Sequence, residues 1–140
     1  RHLAVSHRGD VAFAMQWQGD LAAAPPLLGL HKSGQPARLA NAPADATRHM
    51  AGYAGSVSIS NSQDQVAITS PRGGEMQVFD MITATLQNRI AIKDVCGVAP
   101  SGNGFFVTNG FGETYETAGR DVASKTSHAL RWDNHLIPIT

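Results

Sequence analysis

The feature that most constrains this chain is a threefold recurrence of strand, polar turn and strand. AVSHRGDVAFAM (residues 4–15), SISNSQDQVAIT (58–69) and VAPSGNGFFVTN (98–109) can be laid over one another. Val5, Ile59 and Val98 correspond, and so do Phe13, Ile68 and Val107. The intervals are 54 residues (59 − 5) and 39 residues (98 − 59), the first lengthened by a connector over residues 41–52. A single hairpin cannot bury its apolar face, so units that recur at this length pack against one another. Four strands per unit at roughly 40–50 residues is the spacing of a propeller blade. The expected fold is therefore all-β, with about three four-stranded antiparallel blades of a β-propeller-like array. An ordinary antiparallel sandwich is the competing arrangement. The length fits a single domain over residues 1–140. The expected blades span residues 3–48, 53–93 and 96–131, and residues 132–140 start a further strand.

Residues 66–80, VAITSPRGGEMQVFD, carry the strongest local signal. Two alternating strands flank Pro71-Arg72-Gly73-Gly74. Proline presets a turn φ, and glycine takes φ > 0 without penalty. Further strands are expected over 3–6, 11–18, 27–31, 36–40, 56–60, 85–92, 97–99, 104–109, 113–117 and 125–131. Met15 and Trp17 fall at strand positions and read as core. Residues 45–50 can form one helical turn capped by Asn41 or Asp45.

Composition narrows the partners. Lys+Arg and Asp+Glu both number 11, so the net charge is zero. Nucleic acid and anionic membranes call for a basic excess that is missing here. No apolar run reaches the roughly 20 residues that span a bilayer, so membrane insertion is not expected. With one cysteine, Cys96, the chain can form no internal disulfide and no cysteine-based zinc site. It opens on Arg-His-Leu rather than Met and reads as a processed chain or a fragment of a longer protein. A fragment of three blades leaves two uncovered blade faces, so self-association is expected.

In a blade, the turns joining second to third strand share one face with the connectors between blades. On that face fall residues 49–55, 71–74, 94–96, 110–112 and 132–135. They carry His49, Tyr53, Arg72, Asp94, Cys96, Asp133, Asn134 and His135, and loops around a propeller axis are where ligands and partners meet the scaffold. His49 and His135, with Asp94 or Asp133, are weak candidates for iron or another divalent metal. Arg72 either clamps an anion or braces Asp94 or Asp133. Cys96 lies among apolar neighbours and reads as an inert, buried thiol. Trp132 reads as inter-blade packing. No nucleophile-elbow, HExxH or phosphate-loop pattern occurs. No catalytic residue and no cofactor is assigned.

GYAGSV (52–57), TSPRGG (69–74), DVCGVAP (94–100) and WDNHL (132–136), spread over most of the chain, resemble the C-terminal part of the bacterial domain-of-unknown-function family 1513. The resemblance implies a propeller of the quinoprotein/WD40 class within a longer polypeptide. It also implies export to the periplasm through a twin-arginine-type signal, and proximity to imelysin-like and di-haem peroxidase-like proteins, hence iron handling. It supplies no catalytic residues. The leading expectation is a non-catalytic binding or scaffold module that meets a protein partner or small ligand on the face of Tyr53, Arg72, Asp94 and His135. The alternative is a metal-dependent or redox accessory enzyme using the same face.

Overall fold

The computed structural model describes residues 2–139. Twelve strands form three four-stranded antiparallel sheets, each in simple chain order. The first sheet holds β1 (His2–Val5), β2 (Val11–Ala14), β3 (Leu28–His31) and β4 (Arg38–Leu39). The middle sheet holds β5 (Ser56–Ile59), β6 (Gln65–Ser70), β7 (Glu75–Asp80) and β8 (Leu86–Ala91). The third holds β9 (Val95–Ser101), β10 (Gly104–Asn109), β11 (Glu113–Ala118) and β12 (Asp121–Ser127). A short helix, α1 (Ala44–His49), connects the first sheet to the middle one. The fold is the all-β, propeller-like array expected from the repeat. The first strands of the sheets, β1, β5 and β9, lie beside one another.

Strand alternation explains the packing. In β5 and β6, Val57, Ile59, Val66 and Ile68 face the first sheet, where they meet Ala12, Ala14, Leu28 and Leu30. Ala67 faces the other way and joins Met76, Val78 and Ile90 against Val98, Phe105, Val107 and Tyr115 of the third sheet. Both faces of the middle sheet are thus dry, and β6 is buried from Val66 to Ser70. Burying each large aliphatic side chain contributes about 1.5–3 kcal/mol. The corresponding residues behave alike. Ile59 and Ile68, and Val98 and Val107, look toward the preceding sheet. Val5 and Phe13 occupy the same face of the first sheet, against which no other described sheet packs, and Leu3, Val5 and Leu39 are exposed there.

Several local expectations are corrected. β2 ends at Ala14 rather than at residue 18. Trp17 is therefore a loop residue, 41% exposed, and its indole N–H donates to the Asp20 carbonyl. The last strand runs over Asp121–Ser127, not 125–131. It is an exposed edge strand with no apolar alternation, so no period marked it. The helix N-cap position is Pro43, and no side chain caps it. Asp45 instead lies in the first turn, where the helix dipole favours an acid.

Residues 128–139 form no strand, although residues 132–140 were expected to start one; Thr140 lies outside the described residues. The segment packs by side chains and carbonyls on the outer face of the third sheet. A Cβ on Gly97 would lie 2.9 Å from Leu136 Cβ, and the His128 ring meets Thr114 Oγ1 at 3.0 Å. Pro138 has no N–H to give to a ladder.

Candidate functional site

The loops named from the sequence converge. Tyr53 and Arg72 enter from the middle sheet, Asp94 and Cys96 from the start of the third, and Trp132, Asp133 and Asn134 from the C-terminal segment. They line a cavity of about 340 Å³. Each arrives for a local reason. Tyr53 follows a left-handed pair, Ala51 (φ 51°) and Gly52 (φ 68°), that turns the chain out of α1. Arg72 sits at the tip of the β6–β7 hairpin. Asp94 is itself left-handed (φ 52°), and its carbonyl accepts from Gly110 N–H at 3.1 Å. Its carboxylate lies where a Gly110 side chain would be, 2.1 Å from an ideal Cβ. Glycine at 110 is what admits that carboxylate.

Arg72 does not brace an acid. Its guanidinium lies over the Tyr53 ring, 4.9 Å from the centroid, and among the described residues no carboxylate comes within 4.0 Å of it. The expected strut to Asp94 or Asp133 is corrected to a cation–π contact. Asn134 Nδ2 is 3.5 Å from the Tyr53 hydroxyl, and Asn134 N–H donates to Asp133 Oδ1 at 2.7 Å. Among the described residues two side-chain polar atoms are buried without a hydrogen-bond partner, the Trp132 indole N–H and Asn134 Oδ1. An orphaned buried group costs about 1–3 kcal/mol.

Cys96 is buried and its thiol donates to the Asp94 carbonyl at 3.1 Å. Burial first, then the charges of Asp94 and Asp133, push the thiol up to about 11. It is protonated at neutral pH and is a poor nucleophile.

His49 and His135 do not join this group. His49, at the end of α1, reaches Glu75 Oε2 at 3.8 Å. The His135 ring stacks on His2 at 4.8 Å, beside a second cavity of about 450 Å³ along β1, β5 and β9. That cavity is larger and mixed in character: Val57, Ile59 and Val98 share its lining with His2, His7, Asn61 and Gln63, and among the described residues no carboxylate, Lys or Arg lines it. Among the described residues no three His, Cys, Asp or Glu side chains are grouped to hold a metal. Trp132 was read from sequence as packing alone. It does pack, edge-on to His128 at 5.7 Å, but it also lines the smaller cavity. The run WDNH was the available signal.

Residues 1–139 match a family described as protein of unknown function (DUF1513). The chain belongs to this family. No curated protein sequence matches it. Its fold is similar to solved propellers. Sqt1 of Saccharomyces cerevisiae superposes with a TM-score of 0.68 at 15% identity, over 92% of this chain and 35% of that one. AztD of Citrobacter koseri, in its apo form, gives 0.68 at 10% identity, over 94% and 36%. BamB of Moraxella catarrhalis gives 0.52 at 11%, over 91% and 32%. The chain spans about a third of the length of these proteins. At such identities the likeness shows the fold alone. No helix is long and apolar enough to cross a membrane among the described residues.

Proposed function

We propose that this family member is a binding module of an exported protein, and that its ligand or partner enters the cavity formed by Tyr53, Arg72, Asp94, Trp132, Asp133 and Asn134. One observation carries the reading. Chemically distinctive side chains from two sheets and the C-terminal segment meet in one concave place while leaving an Arg, two carboxylates and two buried polar atoms unsatisfied by each other. Small-molecule sites have this character, a pocket of roughly 300–1,000 Å³ with a few convergent polar groups. A propeller supplies rigid walls, and the loops supply specificity.

The test is a titration of the isotope-labelled chain with fractions of a bacterial envelope extract, followed by amide NMR. Shifts should cluster at Tyr53, Arg72, Asp94, Gly110 and Asn134 and disappear in Arg72→Ala. Shifts confined to other faces would refute the reading. Metal analysis of the active fraction tests the link to iron handling.

The open face of the first sheet supports self-association of this chain, since Leu3, Val5 and Leu39 are 64%, 55% and 57% exposed on it. Sedimentation should give a dimer or larger species for the wild-type chain. Val5→Lys should shift it to monomer; a monomeric wild type would reject the idea.

A further inference from the structure

The unsatisfied groups of the cavity have a sign. Two carboxylates, Asp94 and Asp133, stand against one guanidinium, and that guanidinium is turned onto Tyr53. Among the described residues neither carboxylate has a Lys, Arg or His within 4.0 Å. Among the described residues no side chain donates to the Asp94 carboxylate, and Asp133 receives only the neighbouring Asn134 N–H. The Asn134 carbonyl oxygen is a third acceptor, buried and without a donor. The three charged side chains that line the cavity sum to −1, and a cation is what it lacks.

A metal ion would need its ligands to converge at about 2.0–2.6 Å. Asp94, Asp133 and Cys96 are not grouped tightly enough for that. A guanidinium is different. It is planar, carries five N–H donors in a fixed fork, and can address acceptors that are several ångströms apart. It also stacks on aromatic faces; Arg72 already covers one face of Tyr53, and Trp132 lines the same cavity.

We propose that the cavity binds an organic cation, a guanidinium or an alkylammonium, held between Asp94 and Asp133; Asn134 Oδ1, enclosed in the free protein, becomes a third acceptor when its side chain turns toward the ligand. The proposal rests on the cavity being the binding surface. The cation can belong to a free small molecule or to an Arg or Lys side chain of a protein partner. The Arg72 guanidinium is left to meet an acceptor elsewhere on the same ligand.

Three probes test it on the 140-residue chain by amide NMR: agmatine, arginine capped at both backbone ends, and glutarate. Agmatine or capped arginine should move the amides of Asp94, Gly110 and Asn134 saturably, and glutarate should not. The better of the two cations tells a free ligand from a side chain. Asp94→Asn and Asp133→Asn keep shape and should each weaken binding roughly tenfold, the value of one charged hydrogen bond. Their melting temperatures should stay at wild type, so a lost shift is not lost folding. Affinity should also fall as salt is raised. Full affinity in both variants overturns the proposal. If only glutarate moves these amides, the cation assignment fails while the cavity stands as a binding surface. If none of the three does, the cation assignment also fails, and the extract titration alone decides the cavity.

Discussion

Gly73→Ala should destabilise the chain by about 3 kcal/mol. Sequence alone gives both glycines of the hairpin tip the same job, turn geometry. The structure separates them. Gly74 is left-handed (φ 62°), and a Cβ there would meet nothing closer than 3.7 Å. Its alanine variant should cost only the strain of an L-residue in that region, about 1–2 kcal/mol. Gly73 has no positive φ; it is a close approach. An ideal Cβ would lie 2.2 Å from the His49 carbonyl oxygen and 2.9 Å from Met50 Cα. Both are backbone atoms at the end of α1 and cannot rotate away. The tip is clamped there by Ser70, whose hydroxyl donates to the Met50 carbonyl at 2.7 Å and accepts from Gly73 N–H at 3.0 Å. Urea melts of the two variants decide it. If Gly74→Ala costs more than Gly73→Ala, the turn and not the contact selects these glycines. Arg72 is the next residue, so Gly73→Ala should also blunt the response of the Tyr53 and Asn134 amides to agmatine.

The contrast shows what the sequence could and could not carry. Strand periodicity is local, so Val66, Ile68, Ala67 and Met76 fall on the faces that alternation assigns them. The correspondence of Val5, Ile59 and Val98 holds for a related reason: each repeat unit must present the same face to the unit before it. Loop convergence is legible at the level of topology. Once strands are ordered from the axis outward, Tyr53, Arg72, Asp94, Asp133 and Asn134 must share an end of the array. Directions within that end were not legible. Rotation about α1 sends His49 to Glu75, and the path of the C-terminal segment sends His135 to His2. Neither follows from spacing. The Arg72 contact was missed because a nearby aromatic ring competes with two acids, and only coordinates say which is in reach. The last strand was misplaced because Asp121–Ser127 is exposed along its whole length, leaving no pattern to read.

Glu75→Ala should be as damaging as Gly73→Ala, about 3 kcal/mol, by a different route. Glu75 is 4% exposed on β7, on the face that α1 covers. Arg89 Nε donates to both of its carboxylate oxygens at 3.0 Å, and Gln77 Nε2 donates to it at 2.8 Å. The same Gln77 nitrogen reaches the Ala46 carbonyl at 2.9 Å, and Arg89 reaches Asp45 at 3.1 Å. This network ties the helix to the outer strands of the middle sheet. Removing Glu75 takes one of the two acceptors from the buried Gln77 amide, leaves Arg89 with the exposed Asp45 alone, and opens a void under the helix. Glu75→Gln keeps an acceptor and should cost about half as much. Asp45→Asn should cost less than about 0.5 kcal/mol, because that carboxylate is 70% exposed and water replaces its partner. Glu75→Leu with Arg89→Met should recover most of the loss, since an apolar pair leaves no unpaired charge. Chemical denaturation of the four variants gives the order, and equal losses for Asp45→Asn and Glu75→Ala would reject a buried anchor. The consequence reaches the cavity. α1 carries the chain through Met50 and Gly52 to Tyr53, and it is also the surface on which the Arg72 hairpin tip rests. A helix released from Glu75 loosens both sides of the Tyr53–Arg72 wall, so Glu75→Ala should weaken agmatine binding under conditions where the chain is still folded, although Glu75 does not line the cavity.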